Sequence, residues 1–197
     1  VNDYLLQQGR EEYWPCLDLV APAHQAYADR HGLRYVVHKG PVLPEWTGHW
    51  DSIPLMLDLA NDIGTGLIVW LDADTLIVGD ADPRVVMAGY DVGMARHPGP
   101  PEHYNCGVLM LRAGPDTVDW LERVLAAGPG VFPWYQQDFM NAYLAEPQWA
   151  GRVKTLPTEW NSTVVLGHPE ACVIRAWHGY PGGTWARYAA MRRVVQR

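Results

Sequence analysis

Apolar residues along the chain alternate between two spacings, one helical and one extended. Residues 11–32, EEYWPCLDLVAPAHQAYADRHG, carry apolar positions three and four apart, which predicts a helix interrupted by Pro15 and Pro22 and stopped at Gly32. The β-branched and aromatic run LRYVVH after it predicts a strand. Asp51 or Ser52 stands where a second helix needs its cap, with Pro54 in the first turn, Leu55 and Leu59 on one face and Gly64 at the end. LIVWLD then reads as a buried strand. The polar cluster GDADP breaks the chain, and YDVGMA and GVLMLR predict two further strands. A helix is expected over residues 115–127, with Val118, Leu121 and Leu125 as its inner stripe. Residues 136–143 predict a short helix, RVKTL a strand and CVIRAW a last strand, before the turn HGYPGG and a basic terminal helix.

Helices alternating with apolar strands imply an α/β fold with a mainly parallel central sheet flanked by helices, in which ligands sit beyond the carboxyl ends of the strands. This places candidate chemistry at Asp72 and Asp74, at the end of the most apolar strand. Alternate residues of an extended segment point the same way, so the two carboxylates share one space. They repel unless a hard divalent cation binds them or one takes a proton. A solvated turn with capping aspartates is the plain alternative for the same residues.

At 197 residues the chain suits one domain spanning 1–197. A hydrophobic share of 48% beside 19% charged residues is a globular composition. The net charge of -7 includes only two lysines, Lys39 and Lys154, and the arginines are scattered, which argues against duplex nucleic acid as a partner. Cys16, Cys106 and Cys172 lie far apart and form an odd set, as expected of free thiols in a reducing, cytoplasmic setting. No apolar stretch reaches the length of a membrane span. Because the chain opens at Val1, the first strand is expected to be truncated or absent at the N-terminus. Ten tryptophans stand out, some for the core and others, next to loops and polar residues, suited to stacking on a sugar ring, with core packing the better reading for any single one.

The order of short blocks along the chain resembles two groups of retaining glycosyltransferases of the GT-A fold, the glycogenin-like family and the plant and fungal galactosyl- and xylosyltransferases. AYADRHGLRY is similar to their Y-A-x-x-H-G-Y element, HWDSIPLM to W-x-K-x-P, and LDADTL to their D-x-D metal motif. YNCGVLMLR, WYQQDFMNAYL, LPTEWNS and WHGYPGGTW resemble N-x-G-V, D-Q-D-x-x-N, L-P-x-x-W-N and H-x-x-G-x-x-K-P-W. The resemblance implies a nucleoside-diphosphate sugar donor, with UDP as the usual nucleotide, and transfer to an unidentified acceptor with α-linkage.

It further implies Mn²⁺ or Mg²⁺ held by Asp72, Asp74 and His178, with Ala73 also against the donor. Asn2, Asp3 and Tyr4 resemble the end of the first strand, where the base is contacted. Asn105, Gln137 and Asp138 would lie nearest the reacting carbon, and Trp160 and Asn161 would line the sugar pocket. The family lysine that grips the diphosphate is missing, its place falling in Gly182, Gly183 and Thr184, so the backbone at Gly183 or the side chain of Arg187 is expected to substitute. A second family lysine is replaced by Ser52.

Two other classes remain open from the residues. The run LDADT also matches the opening motif of haloacid-dehalogenase-like phosphatases, with Asp72 as nucleophile, although that fold needs a later lysine and a later acidic pair. A non-catalytic carbohydrate- or nucleotide-binding domain is the other, suggested by the tryptophans and the missing lysines.

Overall fold

The computed structural model describes residues 2–97, 103–129, 135–163 and 171–196; Trp134 lies outside them. A first strand is present, β1 (Tyr4–Gly9), and it is wholly buried, so the expectation that it is absent does not hold. Its two glutamines disguise it as a polar segment. Helix α1 (Trp14–His31) runs through Pro22 without a break and ends on Gly32, whose φ of 63° suits the left-handed cap. A proline inside a helix costs about 3 kcal/mol. Burial of Cys16, Leu17, Val20, Tyr27 and Ala28 along the same helix offsets that, at about 1.5–3 kcal/mol for each large side chain.

Next come β2 (Arg34–Lys39), α2 (Ser52–Ile63), β3 (Gly66–Asp72) and the short β4 (Thr75–Ile77). They are followed by α3 (Pro83–Val86), β5 (Val92–Arg96), β6 (Tyr104–Ala113), α4 (Pro115–Ala127) and α5 (Gln136–Leu144). β7 (Val153–Leu156), β8 (Ser162–Thr163), β9 (Ile174–Ala176) and α6 (Gly183–Val195) complete the described chain. The expected stripes do face the core, with Leu121 fully buried and Leu55, Leu59, Val118 and Leu125 half-buried against it, and the deepest positions beside them are Ile53, Met56, Leu57 and Ala60 on α2 and Thr117, Trp120 and Val124 on α4. Asp51 occupies the N-cap position of α2, as expected, but its side chain makes no capping hydrogen bond to the helix. Instead Asp51 is fully buried and accepts hydrogen bonds from Arg10, Gln8 and the N–H groups of Val42 and Leu43, which organises the segment between β2 and α2.

The main sheet has six strands in the order β2-β1-β3-β6-β5-β7. β6 runs against both of its neighbours, and the other five strands point the same way. Side chains of β3 alternate between two cores, as a pleated strand requires. Ile68 and Trp70 pack with α2, α4 and α5, whereas Leu67, Val69 and Leu71 pack with Tyr27 and Ala28 of α1. A second sheet of three short strands, β4-β9-β8, lies beside the end of β3, where Leu76 and Trp177 meet Cys16 and Val20 of α1 and Met191 of α6. No helix among the described residues is long and apolar enough to cross a membrane.

Candidate functional site

β3 carries Asp72 to the carboxyl edge of the sheet, in register with Gln8 of β1. The chain then turns through Ala73 and Asp74 into β4, so the two aspartates meet around a turn and not along an extended strand. β4 pairs antiparallel with β9, Thr75 opposite Ala176, and Trp177 donates its N–H to the Asp74 carbonyl at 2.9 Å. That pairing returns His178 to the aspartates. Its Nδ1 is 3.0 Å from Asp74 Oδ1 and 3.8 Å from Asp72 Oδ2. One donor atom from each of the three residues lies within 4.8 Å of the others. Asp74 is buried, while Asp72 opens to the cleft with 37% of its side chain exposed.

Gly107, near the start of β6, makes room for the imidazole. A Cβ there would stand 2.1 Å from His178 Nε2, closer than any side chain could tolerate. Arg187 of α6 reaches Asp74 Oδ2 at 2.9 Å and the Tyr13 hydroxyl at 2.8 Å. The Trp70 indole donates to Asp72 Oδ1 at 3.0 Å.

Burial disfavours charge on all three members of the cluster, and the balance differs for each. It pushes the Asp72 carboxyl up, with His178 opposing and Asp74 reinforcing. It also presses upward on Asp74, but His178 and Arg187 outweigh it and hold that carboxyl below its ordinary range. For His178 burial works against the charged ring, and the attraction of Asp74 and then Asp72 prevails, raising it. His178 Nε2 is buried and has no hydrogen-bond partner among the described residues. Two hard carboxylates and an imidazole whose Nδ1 faces both of them suit a divalent cation of the Mg²⁺ or Mn²⁺ kind.

The cluster faces a cleft of about 400 Å³. Gln8, Gly9 and Arg10 at the end of β1 form one wall, and Asn105, Gly107, Gln136 and Gln137 form another. Of the residues expected at a site, the structure brings Asp72, Ala73, Asp74, Asn105, Gln137, His178 and Arg187 to this cleft. Gln137 Oε1 accepts from the Cys106 N–H at 3.0 Å, and Asn105 Oδ1 accepts from the Asn161 amide at 2.8 Å. Asn161 therefore braces the wall from behind.

Asp138 is one residue further along α5 and does not line the cleft, and neither does Gly183 at the start of α6. Trp160 is a core residue, buried among Leu5, Val108 and Leu156, because the turn before β8 points it inward. Asn2, Asp3 and Tyr4 are corrected in position. They stand at the opening of β1, where Tyr4 pairs with Ile68, at the far end of the sheet from Asp72. There Asp3 accepts from the Leu67 N–H at 2.8 Å. Gln8, Arg10, Tyr13, His49 and Tyr135 line the cleft without having been expected. The one available sign was a pair of glutamines inside the apolar run YLLQQG.

This architecture is that of the GT-A glycosyltransferases. A glycosyltransferase involved in the glycosylation of the major capsid of PBCV-1 superposes with a TM-score of 0.75 at 15% identity, over 95% of this chain and 98% of that one. The galactosyltransferase LgtC, solved with donor and acceptor sugar analogues, gives 0.61 at 12% identity over 98% and 96%. The glycosyltransferase GlyE of Streptococcus pneumoniae TIGR4 gives 0.59 at 9% identity, over 98% of this chain and 62% of that one. No family model and no curated protein matches the sequence.

Proposed function

We propose that this chain is a metal-dependent glycosyltransferase that moves a sugar from a nucleoside-diphosphate donor, UDP-sugar by preference, to an acceptor with retention and α-linkage. One observation carries the reading: Asp72, Asp74 and His178 converge within 4.8 Å at the carboxyl edge of a GT-A-type sheet, facing a cleft. A bound Mn²⁺ or Mg²⁺ would neutralise charge on the departing diphosphate. Asp72, Asp74 and His178 hold the cation, and Ala73 packs the floor beside it. Arg187, which lines the cleft, stands in for the missing lysine as the phosphate-binding cation, and Gly183, outside the cleft lining, is set aside for that role.

The end of β1 at Gln8 and Arg10 takes the base, the role first expected of Asn2, Asp3 and Tyr4. Gln137 stabilises the oxocarbenium-like state from the β face, and Asn105 orients the sugar or acceptor hydroxyl. An active-site variant of LgtC exchanges a glutamine for glutamate, so that protein has a glutamine in its active site. Asp138 is the alternative for the β face. Unchanged product formation by Asp138→Asn, with loss in Gln137→Ala, would assign the role to Gln137.

The phosphatase alternative needs a lysine beside Asp72, and among the described residues lining the cleft there is none. We place the enzyme in the cytoplasm, where its three free thiols stay reduced. The test is calorimetric titration with UDP, GDP and their sugars, first with Mn²⁺ and then with chelator. Nucleotide binding that needs the metal is expected; nucleotide binding indifferent to it, or none, would overturn the reading. Metal-dependent binding without turnover of any sugar nucleotide, even by hydrolysis, would favour a binding domain.

A further inference from the structure

Gln7 is an amide in the middle of an apolar strand, completely enclosed on the α1 side of the sheet. Its two polar atoms have different partners. Oε1 accepts from the Tyr35 hydroxyl at 2.8 Å and lies 3.1 Å from His24 Nδ1. Nε2 donates to the Asp72 carbonyl at 3.1 Å. The other nitrogen of His24, Nε2, accepts from the Ile77 N–H at 3.1 Å. A ring nitrogen that accepts carries no proton, so the proton sits on Nδ1 and is donated to Gln7. Burial pushes the His24 pKa down to about 3, which keeps the ring neutral and the tautomer single.

With two donors aimed at Oε1, the amide of Gln7 has one orientation, and its N–H is left for Asp72. Thr75 Oγ1 donates to the same carbonyl at 2.8 Å. The turn that carries both aspartates is thus gripped on either side, at the Asp72 carbonyl by Gln7 and Thr75 and at the Ile77 N–H by His24. None of Gln7, His24 and Tyr35 lines the cleft. An apolar side chain at position 7 would fill the same volume and leave the Asp72 backbone, and with it the Asp72 carboxylate, free to shift.

We propose that Gln7, oriented by His24 and Tyr35, is a positioning residue that sets the spacing of Asp72 and Asp74 for a divalent cation. This rests on reading Asp72, Asp74 and His178 as metal ligands. Groups behind the ligands of a metal site change its affinity by about 10–100-fold when removed.

The experiment is Mn²⁺ binding in the absence of any nucleotide, by calorimetry and by the electron paramagnetic resonance of free and bound ion, on chains shown to be folded by near-ultraviolet circular dichroism. Gln7→Leu is expected to weaken Mn²⁺ about tenfold or more and to broaden the bound-ion spectrum. Tyr35→Phe removes one of two bonds to Oε1 and is expected to cost about threefold. The double variant should bind no more weakly than Gln7→Leu, because Tyr35 reaches the turn only through Gln7.

Wild-type affinity in folded Gln7→Leu would overturn the proposal. If that chain does not fold, wild-type affinity in Tyr35→Phe would overturn it instead. Losses that add in the double variant would do the same. A native chain that binds no Mn²⁺, with Asp74→Asn no different from it, would overturn the metal reading and this proposal together, a pattern distinct from a silent Gln7 variant.

Discussion

At position 107 a methyl group would stand 2.1 Å from His178 Nε2. Gly107→Ala should therefore push the imidazole off Asp74 while leaving the strand intact. We expect at least about tenfold weaker Mn²⁺-dependent UDP binding, read by calorimetry, with little change in the circular dichroism spectrum. Asp51 presents the opposite case, a fully buried carboxylate whose loss strands the guanidinium of Arg10, 2.8 Å away. Asp51→Ala is expected to cost about 1–3 kcal/mol in urea unfolding, the scale for leaving donors such as the Val42 and Leu43 N–H groups without their acceptor. These residues differ in how they could be read from the chain. Asp72 and Asp74 follow an apolar strand, so local pattern marks them, whereas His178 is marked only by the resemblance of its block to H-x-x-G-x-x-K-P-W. Gly107 is marked only as the glycine of the block resembling N-x-G-V, and the physical reason for it is an atom 71 positions away. Asp51 reads as a helix cap, since the competing partners, Arg10 and two backbone N–H groups, are brought to it only by the packing of β1 against the following segments.

Helix α1 brings His24 into the core between β1 and β4, and this gives the element a pH signature. The unfolded ring titrates near its ordinary value of 6.5, and the folded one is held down to about 3 by burial. The unfolded chain then binds a proton that the folded chain refuses. The His24 contribution is intact above about pH 6.5 and is lost as pH falls towards 3, by up to about 1.4 kcal/mol per unit. Urea midpoints measured at pH 7 and pH 4.5 should differ less in His24→Gln than in the native chain. In α4 the indole N–H of Trp120 is buried and has no hydrogen-bond partner among the described residues. Trp120→Phe removes that uncompensated donor, so thermal unfolding should show a loss of only about 1 kcal/mol, below the usual cost of shrinking a large core residue. Helix boundaries were legible from Pro and Gly punctuation, and α4 begins and ends where its pattern says. Facing was harder. On α2 and α4 the stripes read from spacing pack against the core, but the centre of each buried face is filled by tryptophan, methionine and threonine positions that spacing did not single out.

Across the whole molecule the sheet order was only partly legible. The alternation of helices and strands implied parallel strands, but nothing in the sequence of β6 announces that it runs backwards. That reversal is what lets Asn105 and Gly107, at the beginning of their strand, meet Asp72 at the end of its own. A ligand bridging such distant segments stabilises the fold by mass action. Mn²⁺ with UDP at a hundredfold excess over the dissociation constant should add about 2.7 kcal/mol and raise the melting temperature by about 5–10 °C, and chelator should remove the gain. The three donor groups also belong to different parts of the structure: Asp72 ends the six-stranded sheet, Asp74 lies in the turn, and His178 follows the small sheet. Strands of two or three residues hold that small sheet with few ladder bonds, so its amides open to solvent far more readily than those of β3. A cation seated across the junction would act as a rivet between the two sheets. Amide protons of Ile77, Ile174 and Ala176 would then slow in deuterium exchange when it is added, while those in the centre of β3, already locked, would keep their pace.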